Sequence, residues 1–489
     1  MSLNVSPTRE LPSELPPNAG RAAAGIAIVL VAQLMIVLDA TVVNVALPHI
    51  DADLGFGPAS LSWVLNAYTL AFGGLLLLGG RLGDVFGRLK VFEIGLAVFT
   101  VGSALGGLAQ TPGQLVAART FQGVGAALAA PSVLALLTTS APDAAARNRA
   151  LALFGAVSSG GASIGLILGG LLTDVGSWRW TLFINVPIGL AVILLAPRFV
   201  TETPRRTGRF DVVGALAATG GAVALVWTLI NTPEHGWLTA RTVAGFAVGL
   251  ALLALLARTE QRHPHPLVQP KLVRDRSRVG ALTVMALLMG ANLSMFFLVV
   301  QYVQGVLGFG PLLAGIAFLP FSLTIFATSR ITPALLGRFG PRRMMLVGGV
   351  ALTVAYAWLS TIGTDDTYLA AVFGPMALAG VASALLFMPV TVITLSGVEP
   401  EHAGSASGLL QTTQQLGGAV GVAVIVSVYA AGAVPGEIVP GMSAAFLTSA
   451  TLAALALAVT ALLVRVGRPE SATQAPSEEL VEAVAAEAA

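Results

Sequence analysis

Runs of about twenty apolar residues recur along this chain with almost no charge inside them, and a run of that length is what an α-helix needs to cross a bilayer's hydrocarbon. Fourteen such runs are legible. They lie near 22–47, 60–79, 91–109, 114–139, 149–172, 179–197, 211–230, 241–257, 279–303, 311–332, 344–362, 369–396, 405–431 and 441–466. Composition agrees. Only 10% of the 489 residues are charged and 55% are hydrophobic, with a mean hydropathy of +0.84. A water-soluble chain carries roughly 25% charge, so this surface must face lipid. The expected fold class is an all-α membrane protein with multiple passes.

Several functions are excluded early. A net charge of +2 gives nucleic-acid binding no electrostatic basis. Cysteine is absent, which removes disulfides, thiolate metal sites and cysteine nucleophiles. His263 and His265 sit in a polar His-Pro-His-Pro stretch and read as solvated, so no metal site is expected. The phosphate-binding pattern G-x-x-x-x-G-K-[ST] is missing, so no ATP use is expected, and no other cofactor is implied. The proline-rich residues 1–21 lack the apolar core of a secretory signal, and 467–489 are rich in Glu and Ala. Both are expected to be cytoplasmic tails.

Orientation follows from the basic residues, which cytoplasmic loops retain. Of the 26 Lys and Arg residues, 22 fall at the termini or in the even-numbered connections, among them Arg81, Arg88, Lys90, Arg338, Arg342 and Arg343. The connection near 397–404 is an exception, carrying Glu399 and Glu401 but no cation. Both termini are therefore expected on the cytoplasmic side of the cell membrane.

The chain also echoes itself. Residues 80–90 (GRLGDVFGRLK) reappear as 333–343 (PALLGRFGPRR), an offset of 253 (333 − 80), and Gly161 and Gly165 recur as Gly417 and Gly421, an offset of 256 (417 − 161). Two six-helix halves, 22–197 and 279–466, separated by a linker at 198–278 that carries two extra spans, account for both. Repeats of this kind build the central site of secondary transporters.

Two charges stand inside spans. Asp39 lies in VLDATVVNVALPHI and Arg119 opens the fourth span in ARTFQGVGAALAAPS. A carboxylate at membrane depth is costly, so it is functional or paired. Asp39 comes about 16 residues after the start of its outward helix, ~24 Å at 1.5 Å per residue. Arg119 comes about five residues into an inward one, ~8 Å. In a layer of ~30 Å both reach the outer third, where they can meet. Burial favours a neutral carboxylic acid and a nearby guanidinium favours a carboxylate, so a movement that changes either loads or releases a proton. The alternative is a permanent ion pair that only fixes the first helix against the fourth.

The segment 80–90 reads as a loop whose Gly80, Gly83 and Gly87 permit tight turning. Asp84 is expected to accept from a helix start or to pair with an arginine, with Arg88 and Lys90 holding the cytoplasmic face. Such a loop is a latch for one of two states, or a topogenic basic turn. The fifth span carries Gly155, Gly160, Gly161, Gly165, Gly169 and Gly170, small residues that let helices approach in lipid. Polar and aromatic positions in other spans are substrate-cavity candidates: Gln33, Asn66, Tyr68, Gln122, Asn292, Phe296 and Gln301.

These motifs resemble the major facilitator superfamily, in particular its fourteen-helix drug:proton antiporter branch. LDATVVNVALP at 38–48 is similar to that branch's first-helix motif, GGRLGDVFGRLK at 79–90 to the superfamily's signature loop, RTFQGVGAA at 119–127 to the fourth-helix motif, and WRWTLFINVPIG at 178–189 to the start of its sixth helix. The resemblance implies a major facilitator fold that exports hydrophobic or cationic small molecules in exchange for protons by alternating access. Asp39 and Arg119 would couple protons, and Gly80, Asp84, Gly87 and Arg88 would gate. The implied partners are a small-molecule substrate, protons and the bilayer. Two positions depart from the pattern. Gly165-Leu166 stands where the antiporter branch has Gly-Pro, and Gly337 stands in the second copy where Asp84 stands in the first.

Other readings remain open: a narrow exporter of one metabolite or self-made antibiotic, a receptor or scaffold without transport, or a channel. Short loops disfavour a receptor, two-half organisation disfavours a channel, and no catalytic cluster supports an enzyme.

Overall fold

The computed structural model describes residues 19–57, 60–141, 143–203, 212–262, 274–396, 398, 403–432, 434 and 438–465. The chain begins with α1 (Ala19–Leu54), α2 (Trp63–Phe86), α3 (Arg88–Gly107), α4 (Pro112–Ser140), α5 (Ala144–Val175), the short α6 (Trp180–Phe183) and α7 (Asn185–Phe199). Two helices follow, α8 (Val212–His235) and α9 (Ala240–Arg262). The rest comprises α10 (Arg276–Gly305), α11 (Pro311–Ile316), α12 (Leu319–Phe339), α13 (Pro341–Leu359), α14 (Gly374–Leu395), α15 (Ala403–Ala431) and α16 (Val439–Leu463). Several starts are set locally. The side chains of Thr111, Asp143 and Asp275 accept from the backbone N–H groups of Gln114, Ala146 and Arg278, satisfying donors that a first turn leaves free.

Helix occupies all fourteen places where the apolar runs predict it, but not every helix meets a strict test for crossing. Among the described residues ten are long and apolar enough, or eleven when the pair Ser60–Leu76 and Leu78–Phe86, bent by 50°, counts as one. α5 runs 32 residues and α8 runs 24, with Ile164–Val175 and Leu216–Thr232 apolar among the described residues, and α13 opens on Arg342 and Arg343. The segment 80–90 needs correction. It is not a loop, because α2 runs to Phe86 and α3 starts at Arg88, leaving Gly87 alone between them. Hydropathy marks the part of a helix inside lipid; hydrogen bonding carries it further.

Glycines set the closest approaches. On α5, Gly161, Gly165 and Gly169 lie against Val37, Thr41 and Val42 of α1, so any side chain there would collide with the facing helix. In the later helices Gly417 and Gly421 of α15 meet Ala286 and Gly290 of α10 in the same way. The breaks correspond too: Gly87 (φ 106°) separates α2 from α3, and Gly340 (φ 76°) separates α12 from α13 at the offset of 253 (340 − 87).

The two sets of helices meet along two seams. At one, Gly73 of α2 lies against Gln415 of α15, and α8 packs over both. Thr219 of α8 abuts Gly74, Ser427 Oγ of α15 donates to the Leu229 carbonyl at 2.7 Å, and Leu70, Ala222, Val226, Ile230, Ala419 and Ala423 share one apolar cluster. α9 packs on the far side of α8. At the other seam α5 meets α11, with Gly170 against Pro311 and Gly315 against the Leu166 carbonyl. Between the seams, Gln304 Nε2 of α10 donates to the Val45 carbonyl of α1 at 2.8 Å.

Candidate functional site

Asp39 lies 21st in α1 and is fully buried. Its carboxylate receives three hydrogen bonds from two other helices. Arg119 Nη1 of α4 donates to Oδ2 at 2.6 Å, while Gln122 Nε2 of α4 and Asn185 Nδ2 of α7 donate to Oδ1 at 2.7 and 2.8 Å. Gln122 also donates to Ser103 Oγ of α3 at 2.8 Å, and its own Oε1 accepts from Arg119 Nη1 at 2.9 Å. Arg119 is equally buried. Its Nε donates to the Val64 carbonyl at 2.9 Å, and its guanidinium lies 4.6 Å from the centroid of the Tyr68 ring. The carboxylate of α1 thus meets donors from α4 and α7, and α2 and α3 hold two of those donors in place. The α5 glycines bring α5 onto α1 at Val37, Thr41 and Val42, on either side of Asp39.

A second, uncharged cluster occupies the matching place in the later helices. Asn292 of α10 stands at Asp39 plus 253 (292 − 39), and Tyr356 of α13 at Ser103 plus 253 (356 − 103). Asn292 Oδ1 accepts from Tyr356 Oη at 2.7 Å, and its Nδ2 donates to Ser383 Oγ of α14 at 3.0 Å. The repeat seen in the sequence therefore reaches the centre of the molecule, with the charge kept in one copy only.

At the far end of α2, Asp84 pairs with Arg88 at 2.5 Å across the Gly87 break, and Arg88 Nη1 donates to the Pro131 carbonyl of α4 at 2.9 Å. The start of α3 is held by a residue that sequence reasoning left in the linker. Glu202, just beyond α7, accepts from the backbone N–H of Leu89 at 2.9 Å and of Lys90 at 3.2 Å. Gly80 is half-buried on α2 beneath Pro131.

The cavity candidates do not gather into one pocket. Tyr68 and Gln122 join the Asp39 network and Asn292 joins the second cluster. Phe296 packs on Phe318 and Phe321 with ring centroids 5.2 Å apart. Asn66 is buried on α2, its Nδ2 without a hydrogen bond to any described residue. Gln33 and Gln301 are half-buried on α1 and α10. Leu166 is buried in an unbroken α5, so the position where the antiporter branch has proline makes no break here. Asn185 and Ser103 were missed. Asn185 lies inside the WRWTLFINVPIG motif, a usable signal, whereas Ser103 is an isolated serine in an apolar run.

The sequence profile of the Major Facilitator Superfamily matches residues 29–422, which takes in the Asp39 network and its uncharged counterpart. The chain belongs to the Major Facilitator Superfamily. It is a non-enzymatic transporter of that superfamily and a multi-pass membrane protein. It is 40% identical over 410 residues to the puromycin resistance protein pur8 of Streptomyces alboniger, covering 82% of this chain and 80% of the relative. It is 39% identical over 445 residues to the cephamycin export protein CmcT of Amycolatopsis lactamdurans, covering 89% and 91%. The crystal structure of the POT family transporter PepTSo matches with a TM-score of 0.66 at 17% identity, over 90% of this chain and 97% of that one. At that identity it shows the shared superfamily fold alone.

Proposed function

We propose that this major facilitator protein exports hydrophobic or cationic small molecules of antibiotic type across the cell membrane in exchange for protons, with no use of ATP. The observation that carries this reading is the Asp39 carboxylate, buried among Arg119, Gln122 and Asn185. A proton on Oδ2 would point at the N–H of Arg119, a donor facing a donor, so loading it requires α1 and α4 to part. Arg119 is tied to α2 through the Val64 carbonyl and Gln122 to α3 through Ser103. The separable contact is therefore that of α1 with the rest, which couples protonation to a rearrangement of helices. The names of pur8 and CmcT support export of antibiotics. In this reading both termini and Gly87 face the cytoplasm. Residues 22–197 and 279–466 are the two moving halves, 198–278 carries the inserted pair, and the Asp84–Arg88 pair holds the α2–α3 break in one state.

The test is proton movement in proteoliposomes as dyes are added one by one, for the wild type and Asp39→Asn. Dye-triggered proton release by the wild type alone supports the reading, and normal coupled transport by Asp39→Asn removes it. A narrow exporter of one antibiotic is the second reading, favoured by similarity to a cephamycin exporter along 91% of that relative. Growth inhibition across many compounds separates broad from narrow.

A further inference from the structure

Arg330 is a charge inside a membrane span that the Asp39 network does not use. It lies in the apolar stretch Pro311–Phe339, two residues before the end of the apolar run at 332. It is exposed, its guanidinium stacks 4.6 Å from the centroid of the Phe326 ring, and no described carboxylate pairs with it. A guanidinium that no described carboxylate neutralises is open to an anion that reaches it.

The helix geometry says which way it faces. Gly380 of α14 lies against Phe321 and Thr324 of α12, and buried Thr328 and Thr332 continue that stripe. Arg330 is two residues beyond Thr328, about 200° around the helix, on the side away from α14. The opposite stripe starts at Gly315, which meets the Leu166 carbonyl of α5. Ala317 and Phe318 keep right-handed helical dihedrals between α11 and α12. Phe326 and Arg330, 11 and 15 residues after Gly315, come about 3.1 and 4.2 turns later, within roughly a sixth of a turn of the α5-facing stripe. Exposed apolar side chains on these two helices include Leu153 and Ile164 of α5 and Leu323 of α12. The inserted helices α8 and α9 pack on the other seam.

We infer that Arg330 and Phe326 form a docking site at the α5–α12 seam for the acidic group of an amphiphilic substrate, a carboxylate or sulfonate carried on an aromatic body. The planar guanidinium matches such a group through paired N–H donors, while Phe326, Leu323 and Leu153 offer apolar surface to the remainder. This adds acidic amphiphiles to the substrates and rests on the export reading for the fate of the bound molecule, not for its binding.

Two probes with one aromatic skeleton test it: anilinonaphthalene sulfonate, which is anionic, and phenylnaphthylamine, which is neutral. Both are titrated by fluorescence into the purified full chain as wild type, Arg330→Gln and Arg330→Lys. The expected result is about tenfold weaker binding of the anion by Arg330→Gln, a smaller loss in Arg330→Lys, and unchanged neutral-probe binding by both. Both titrations are read without transport, so failed proton coupling in Asp39→Asn bears on the export reading and leaves this inference standing. The inference is overturned by unchanged anion binding in Arg330→Gln, by equal loss of both probes, or by a loss confined to co-purified phosphatidylglycerol, which would make Arg330 a lipid anchor.

Discussion

Asn292 holds in α10 the place that Asp39 holds in α1, Asn292 meeting Tyr356 and Ser383 of α13 and α14 and Asp39 meeting Arg119 and Gln122 of α4 and Asn185 of α7. The polar geometry is duplicated and the charge is not. Alternating access needs both halves to pack similarly, whereas one ionisable carboxylate is enough to tie protonation to movement. Around Asn292 the partners are two hydroxyls, with no cation among the described residues.

Asn292→Asp should therefore leave coupling in place but lower stability. Ionised, the new carboxylate would be buried without a guanidinium; neutral, its O–H can replace the bond of Asn292 Nδ2 to Ser383 Oγ only after the group takes up a proton. A cost of about 1–3 kcal/mol is expected for one poorly satisfied buried polar group, read as a lower melting temperature in detergent. The double variant Asp39→Asn with Asn292→Asp should not recover proton movement in proteoliposomes. Recovery would mean that the position, not Arg119, makes the coupler.

Arg119→Lys should fail although it keeps the charge. Arg119 spends Nε on the Val64 carbonyl and Nη1 on Asp39 and Gln122 while its plane lies on Tyr68. A lysine ammonium is a compact point donor and cannot span the Val64 carbonyl and the carboxylate together. Dye-driven proton exchange should fall by about tenfold or more, the scale of one lost charge-assisted bond. Near wild-type exchange would show that charge alone suffices.

How much of this was legible in the sequence depends on the range of each signal. Asp39 and Arg119 stood out because a charge in an apolar run is rare, and rise per residue alone brought them to one level. Asn185 and Ser103 complete the same network, but an amide or hydroxyl in a span looks like any interhelical contact until four helices are assembled around it. Glu202 caps α3 from 113 residues away, a pairing no local pattern encodes. Arg330 was lost in the count of cations by loop, because its meaning comes from an exposure that only packing decides. The helix ends near 80–90 were misread since hydropathy reports lipid, not hydrogen bonding.

Gly165→Val should separate helices that Gly113→Ala leaves untouched. A side chain at Gly165 would run into Thr41 Oγ1 and the Leu38 carbonyl, both within two residues of Asp39, whereas nothing lies within 4 Å of a Cβ at Gly113. Pushing α5 from α1 disturbs the helix that carries the carboxylate, so transport and folded yield should both drop. Overpacking of this kind costs typically about 1–3 kcal/mol. Gly113→Ala should match the wild type in yield and rate. Equal behaviour of the two variants would show that the α1–α5 contact is slack.

Glu202 and Gly87 form a pair whose coupling is measurable. Gly87 has φ 106°, which L side chains rarely adopt, and a Cβ there would lie 2.5 Å from Glu202 Oε2. Glu202 in turn caps α3 through Leu89 and Lys90, and losing such a cap costs about 1 kcal/mol. Gly87→Ala suffers both the backbone strain, about 1–2 kcal/mol, and the collision with the carboxylate. In Gly87→Ala with Glu202→Ala the collision is gone, so the double variant should be less destabilised than the sum of the singles. A coupling of at least about 0.5 kcal/mol is expected for residues in contact. Thermal unfolding of the four proteins in one detergent reads it. Strict additivity would place Glu202 away from Gly87 and return the capping of α3 to Asp84, whose carboxylate would then have to leave Arg88.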